Sequence, residues 1–200
     1  MADSVYLASQ SPRRRQLLEQ LGVRHELLLP EAGEDAEALE AVLKNEAPAA
    51  YVKRVTGLKL DSALARLKRR KLSDAPILCS DTSVALGRTI FGKPADAEDA
   101  KRMLQALAGQ THRVLTAIAV HSGMQRYAAL SSSRVSFEVM TEQQINEYVA
   151  TGEPMGKAGA YAVQGRAAMH ITRINGTYSG IMGLPLLETA RLVRSAGIKI

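Results

Sequence analysis

The pattern that most constrains the fold of this chain is the alternation of short apolar runs with segments of helical periodicity. Residues 5–8, 25–29 and 77–80 have the length and apolar character of strands, whereas residues 48–70 repeat apolar side chains at helical spacing. Strands that alternate with helices in this way are typical of α/β proteins. We therefore expect a mixed, twisted sheet with flanking helices.

Local signals place several helix ends. Ser11 is a predicted N-cap and Pro12 the first helical residue of a helix that Gly22 ends. Farther along, Thr141 and Gln144 have the spacing of a capping box. Both patterns predict a helix start, because the side chains can accept hydrogen bonds from backbone N–H groups that would otherwise be unsatisfied.

The second half of the chain is predicted to be richer in strands. Residues 113–121 and 126–137 form a predicted hairpin, and further strands are expected around 169–174 and 178–182. A last helix is expected from Pro185 to Gly197. We interpret residues 1–200 as a single domain of two lobes, with the break near residue 110 and a central cleft suited to a small molecule.

Charge and cysteine content limit the class of protein. The formal net charge of +6 favours an anionic partner, but the few aromatic side chains and the lack of Trp argue against binding of single-stranded nucleic acid by base stacking. With one cysteine, Cys79, a disulfide framework is impossible. The sequence has neither a recognisable secretory signal nor a membrane-spanning run, so we expect a cytoplasmic protein.

A phosphate site is suggested where the first strand meets the first helix. Ser9, Ser11, Arg13 and Arg14 surround the helix start, where backbone N–H groups and the helix dipole favour an anion. The alternative is that Ser11 only caps the helix and that the arginines are solvated.

A second candidate group is Asp81 and Thr82, with Lys93 beyond the next turn. A carboxylate at the carboxyl end of a buried strand can bind a divalent metal or deprotonate water. Lys93 can neutralise charge on a leaving pyrophosphate. Ordinary turn residues are the alternative for both positions.

Acidic and amide side chains complete the set of candidates. Glu31, Glu34 or Asp35 in the acidic stretch could share a Mg²⁺ ion with Asp81; solvated loop charge is the alternative, and it is the preferred interpretation for Glu31 and Glu37. Gln164 lies in a glycine-bearing loop and can hydrogen-bond a base, a phosphate or a metal-bound water. The four histidines lack zinc-ligand spacing, and we expect them to be structural.

The order and the amino-acid sequences of these motifs resemble those of the Maf family along almost the whole chain. The resemblance rests on residues 7–14, on Asp81 and Thr82 with residues 92–94, on residues 157–165 and on residues 183–186. It implies a fold related to that of inosine triphosphatases, and hydrolysis of a nucleoside triphosphate to its monophosphate and pyrophosphate with Mg²⁺ or Mn²⁺. The family also often forms dimers, so a homodimer is possible.

The resemblance also implies roles for individual residues. Asp81 would be the catalytic carboxylate and a metal ligand, and Glu34 would assist with metal or water. The phosphates would be held by Ser9, Arg13, Arg14, Lys59 and Lys93. Specificity would depend on Arg13, Thr82 and Gln164. The sequence around Gln164 is similar to that of the branch that acts on dTTP and UTP. Ser80 departs from that branch, which usually has alanine there.

Other functions stay open at this point. A 7-methyl-GTP or an inosine triphosphate pyrophosphatase would share the fold. From a different class, the basic runs at residues 13–15 and 68–71 suggest a regulator of cell division that binds nucleic acid or protein without catalysis. Such a regulator would bind less tightly as salt rises and would not depend on Asp81.

Overall fold

A computed structural model describes residues 4–31, 34 and 38–200 of the chain. Its strands are β1 (Val5–Leu7), β2 (His25–Leu27), β3 (Ile77–Leu86), β4 (Thr89–Phe91), β5 (Thr111–Ser122), β6 (Gln125–Phe137) and β7 (Ile171–Asn175). They form one open sheet in the order β2-β1-β3-β5-β6-β7, with β4 beside β3. β1 pairs in parallel with β2 and β3, and the other pairs are antiparallel. The predicted mixed sheet is confirmed.

Helices cover both faces of this sheet. They are α1 (Pro12–Gln20), α2 (Pro48–Arg69), α3 (Ala97–Leu107), α4 (Glu142–Ala150), α5 (Tyr178–Met182) and α6 (Leu186–Ser195). The long α2 packs on one face through side chains such as Val55 and Leu60. On the other face, α1, α3, α4 and α6 share a larger apolar core with the sheet. The predicted α/β class with flanking helices is therefore confirmed.

The alternation of side chains along β3 decides what each residue of the site can reach. Successive side chains of a strand point to opposite faces of the sheet. Cys79 packs in the cluster that contains α2, whereas Leu78 packs in the core on the opposite face. Asp81 therefore points towards α2, and Thr82 points towards α1 and α5.

The neighbours of β3 leave part of its edge uncovered. β1 pairs with β3 no farther than Leu78, and β4 begins to pair with it only at Val84. Among the described strands, none pairs with residues 79–83 on this edge. Asp81 thus lies in the middle of the ten-residue β3, and the prediction that it lies at the carboxyl end of a strand was wrong. The gap beyond the end of β1 exposes it instead.

Several predicted local structures are confirmed. The Ser11 side chain accepts a hydrogen bond from the Arg14 backbone N–H, a cap that is typically worth about 1 kcal/mol. Thr141 and Gln144 form the predicted capping box at the start of α4. β5 and β6 form the predicted hairpin, whose turn contains Gly123 at φ 59°.

The expected strand at residues 178–182 was wrong, because this segment is the short helix α5. Gly183 follows it in the left-handed region at φ 113°, where glycine ends a helix without a Cβ clash. The Gly180 carbonyl accepts a hydrogen bond from the Thr116 hydroxyl, and the Gly183 carbonyl accepts one from Arg14 in the cleft described below.

Cys79 is fully buried and packs as a small apolar residue. Burial raises the pKa of its thiol to about 12, so the thiol stays protonated at neutral pH. Among the described helices, none combines the length and the apolar character needed to cross a bilayer.

Candidate active site

The uncovered edge of β3 forms the floor of a cleft of about 440 Å³. This volume is within the range of small-molecule sites. The start of α1, the middle of α2 and the loop at residues 156–164 supply its walls. The structure brings eight of the predicted site residues together on the cleft lining: Ser9, Arg13, Arg14, Lys59, Asp81, Thr82, Lys93 and Gln164.

The central contact of the cleft joins Lys59 and Asp81. The Lys59 Nζ lies 2.5 Å from the Asp81 Oδ1, and the carboxyl side chain is only 9% exposed. Asp81 reaches this position because it is on the α2 face of β3. A nearly buried carboxylate is costly without a partner, and Lys59 supplies the compensating charge.

Arg14 is bound by the protein on several sides. Its Nε donates to the Gly183 carbonyl oxygen at 2.9 Å, and its two Nη groups lie 3.3 Å from the hydroxyls of Ser9 and Thr82. Thr82 in turn lies 2.9 Å from the Thr116 hydroxyl. The Arg14 side chain therefore fixes α1, β3 and the end of α5 relative to one another.

Arg13 is in a different situation from its neighbour. Within residues 4–31, 34 and 38–200, its guanidinium has no hydrogen bond or ion pair. Burial, and then the positive charge of Arg13, lower the pKa of Lys157 on the opposite wall. Two cations thus lie near each other across the cleft, which favours an anion between them. Gln164 is exposed on the same loop as Lys157.

Glu34 pairs with two arginines of α2. Its carboxylate binds the guanidinium groups of Arg66 and Arg69, and hydrogen bonds from Arg66 are the largest contribution that lowers its pKa to about 2. The Arg66 Nη1 also donates to the Leu28 carbonyl oxygen at 2.9 Å, so the same arginine holds the segment after β2 against α2. The metal role of Glu34 stays a prediction, and the alternative residue Asp35 lies outside the described residues.

Glu40 is a residue of the site that the sequence interpretation missed. Its Oε1 accepts hydrogen bonds from the Nζ atoms of Lys59, at 2.7 Å, and Lys93, at 3.2 Å. Burial would raise the pKa of Glu40, but the charges of the two lysines and their hydrogen bonds outweigh burial and lower it. A glutamate 41 residues before Asp81, outside any motif, gave no signal in the sequence.

Ser80, where the resemblance leads one to expect alanine, has a defined structural role. Its hydroxyl lies 3.0 Å from the Ala117 carbonyl oxygen and 2.9 Å from that of Gly183. The side chain thus links β3 to β5 and to the residue after α5. It helps to position Gly183, which also binds Arg14.

These features define a class of protein: an α/β protein with a positively charged cleft at a sheet edge, which contains one nearly buried carboxylate and is suited to a phosphorylated small molecule. The sequence identifies the family. Residues 4–196 match the Maf-like protein family, and the chain belongs to it. The resemblance noted in the sequence is confirmed.

Closely similar proteins carry a specific name. A protein of Albidiferax ferrireducens named dTTP/UTP pyrophosphatase is 68% identical over 200 residues, which cover 100% of both chains. A Polaromonas protein of the same name is 69% identical over 199 residues, covering 100% of this chain and 98% of the relative. The protein of that name from Cupriavidus pinatubonensis is 61% identical over 199 residues, 100% of each chain.

Proposed function

We propose that the protein is a nucleoside triphosphate pyrophosphatase that hydrolyses dTTP and UTP to the monophosphate and pyrophosphate. The observation that carries this proposal is the Lys59–Asp81 pair, which presents a nearly buried carboxylate in a cleft lined by cations. The names of the similar proteins support the choice of dTTP and UTP.

The positive charges of the cleft suggest where the triphosphate binds. The start of α1 offers backbone N–H groups, and Arg13 adds a guanidinium that has no partner within the described residues. Lys59, which pairs with Asp81, and Lys93 provide two further ammonium groups. A chain of phosphates between these groups would place the α phosphorus near Asp81.

The proposed reaction is an in-line attack of water on the α phosphorus. The Asp81 carboxylate accepts the proton of the attacking water, and the bond between the α phosphorus and the oxygen that bridges to the β phosphorus breaks. Lys93 and Arg13 stabilise the negative charge that collects on the leaving pyrophosphate. Arg14 acts by holding Ser9 and Thr82 in place, since three of its five N–H donors are bound to protein oxygens.

A divalent metal, Mg²⁺ or Mn²⁺, is part of the proposal. Within the described ranges, no group of three or more His, Cys, Asp or Glu side chains is placed to bind a metal. This donor set fits an ion that arrives with the triphosphate, because Mg²⁺ is usually held by one or two carboxylates together with phosphate oxygens and water. Asp81 would be its protein ligand, and it would polarise the phosphate oxygens.

The binding-module alternative has less support. Two residues of the basic run at 68–71, Arg69 and Arg70, are paired with Glu31. The positive charge of this part of the run is therefore partly neutralised by the protein itself. Nothing in the geometry of the cleft favours 7-methyl-GTP or inosine triphosphate over the pyrimidine nucleotides.

The test is release of pyrophosphate, with Mg²⁺ present, from dTTP, UTP, CTP, the purine triphosphates and 7-methyl-GTP. Wild-type protein should prefer dTTP and UTP, and Asp81→Asn should abolish release while the protein stays folded. Asp61→Asn is the matched control, because Asp61 is an exposed carboxylate on α2 that pairs with Arg126. Preference for another nucleotide, or an active Asp81→Asn variant, would contradict the proposal.

We also propose a cytoplasmic location and a homodimer in solution. Both follow from the interpretation of the sequence. Size-exclusion chromatography with light scattering measures the second directly.

A further inference from the structure

Glu40 binds the same two lysines that the proposed function assigns to the phosphates. One carboxylate oxygen, Oε1, accepts from Lys59 Nζ at 2.7 Å and from Lys93 Nζ at 3.2 Å. Lys59 comes from α2, and Lys93 from the segment between β4 and α3. A single anionic oxygen between two ammonium groups is the arrangement that a phosphate oxygen would adopt there.

The main chain around Glu40 is held in place by α2. The Tyr51 hydroxyl donates to the Glu40 carbonyl oxygen at 2.9 Å, and an Nη of Arg54 donates to the Ala41 carbonyl oxygen at 2.8 Å. Arg54 is itself bound in a bidentate manner by Glu46. The short 3₁₀ helix Ala38–Glu40 therefore presents the carboxylate to the lysines from a fixed backbone.

Within the part of the chain that the structure describes, each of the two lysines has a carboxylate partner. Lys59 and Lys93 carry two positive charges, and Asp81 and Glu40 carry two negative charges. The Glu40 side chain is 21% exposed, so it can move into solvent without crossing the core. An incoming anion must therefore replace Glu40 on the lysines before it benefits from their charge.

We propose that Glu40 is a specificity-determining residue that competes with the ligand for Lys59 and Lys93, so that a triphosphate displaces it and a monophosphate does not. The inference rests on the proposed function, since it takes the two lysines as phosphate ligands. A triphosphate has enough charge and enough oxygens to occupy both lysines and the α1 start together, whereas a monophosphate does not. After cleavage, the return of Glu40 to the lysines favours release of pyrophosphate.

The experiment measures binding of inorganic pyrophosphate and of dTMP by isothermal titration calorimetry. Glu40→Gln keeps the shape of the side chain and removes its charge, and Glu40→Ala removes the competing group altogether. We expect both variants to bind pyrophosphate and dTMP about fivefold more tightly than wild type, and pyrophosphate to inhibit dTTP hydrolysis at correspondingly lower concentration. Tighter binding is a result that mere structural damage would not produce.

Glu98→Gln is the matched control. It removes one negative charge from the exposed surface of α3, where Glu98 pairs with Lys101, and it should leave both affinities unchanged. If the Glu40 variants bind pyrophosphate with wild-type or lower affinity while wild type hydrolyses dTTP, the inference about Glu40 is overturned and the proposed function stands. If wild type neither hydrolyses dTTP nor binds pyrophosphate, both are overturned.

Discussion

The ammonium group of Lys59 lies 2.5 Å from the Asp81 carboxylate, although 22 residues separate the two along the chain. The contact forms because β3 directs Asp81 to the face of the sheet that α2 covers, and α2 directs Lys59 to the uncovered edge of β3. Lys59 thereby compensates a nearly buried negative charge at the position where we propose that water is activated.

Replacing Lys59 by glutamine should lower kcat/KM for dTTP by about a hundredfold or more, because the variant keeps a hydrogen-bond donor near Asp81 but loses the charge that stabilises the phosphates. Steady-state pyrophosphate release measures this loss. Lys53→Gln is the control, since Lys53 is exposed on α2 and does not line the cleft. Activity of Lys59→Gln within about threefold of wild type would rule out a direct role for Lys59.

Replacing each of the two adjacent arginines by alanine should have different effects on stability and on activity. Arg14→Ala removes the hydrogen bonds from the guanidinium to the Gly183 carbonyl and to the hydroxyls of Ser9 and Thr82, so it should cost about 2–4 kcal/mol of stability as well as activity. Arg13→Ala should cost less than about 1 kcal/mol of stability, yet raise KM for dTTP about tenfold. Urea unfolding and steady-state kinetics measure the two effects. Equal stability losses in the two variants would contradict the roles assigned here.

Local chemistry explains which parts of the fold could be predicted from sequence. The Ser11 cap, the Thr141 capping box and the β5–β6 hairpin each depend on residues only a few positions apart, and all were predicted. Residues 178–182 were mistaken for a strand because five residues with two large apolar side chains carry no clear period. Contacts of Gly180 and Gly183 with distant strands decide their conformation.

In the candidate site, too, residues of local motifs could be predicted, whereas residues placed by long-range contacts could not. Residues in motifs, such as Asp81 and Lys93, were identified and do line the cleft. Glu40 was missed because its contact with Lys93 spans 53 positions and no local pattern marks it. The acidic stretch offered several equivalent carboxylates, and only tertiary structure places Glu34 on Arg66.

Two glycine-to-alanine substitutions should have opposite effects on stability. Gly159 has a φ of 69°, and an added Cβ would lie 2.8 Å from the Val84 Cγ2 atom, so Gly159→Ala should cost about 2–4 kcal/mol. Gly57 is inside α2, and an added Cβ would meet no atom within 4 Å apart from the neighbouring backbone of the helix itself, so Gly57→Ala should stabilise by about 0.5–1 kcal/mol. Thermal and urea unfolding measure both changes.

The Gly159 substitution should also reduce activity. The Gly159 backbone N–H donates to the Gly92 carbonyl oxygen at 3.0 Å, directly before Lys93, so displacement of this loop moves a proposed phosphate ligand. Gly57→Ala should keep wild-type kcat/KM. A Gly159→Ala protein as stable and as active as wild type would show that the loop tolerates the displacement.

A buried histidine should make stability depend on pH in mildly acidic solution. His112 is 1% exposed, its Nε2 lies 2.8 Å from the Tyr161 hydroxyl, and its Nδ1 has no hydrogen-bond partner within the described residues. Burial lowers the pKa of His112 to about 4, because a charged imidazole would lose its hydration and gain no acceptor for the second N–H.

The sign of the effect follows from proton uptake by the unfolded chain. Unfolded His112 takes up a proton near pH 6.5, whereas His112 in the folded protein does so only near pH 4. The contribution of His112 to the free energy of unfolding is therefore fully present above about pH 7, and it is lost as the pH falls from about 6.5 to 4. The slope is about 1.4 kcal/mol per pH unit, which amounts to about 2 kcal/mol between pH 7 and pH 5. Urea unfolding at the two pH values measures this loss.

The variant His112→Phe should remove this difference between pH 7 and pH 5, whatever its own stability. His25→Phe should keep it, because the His25 ring is only partly buried and contacts the Val23 carbonyl near the surface. An equal loss of stability between pH 7 and pH 5 in wild type and His112→Phe would assign the pH dependence to other groups.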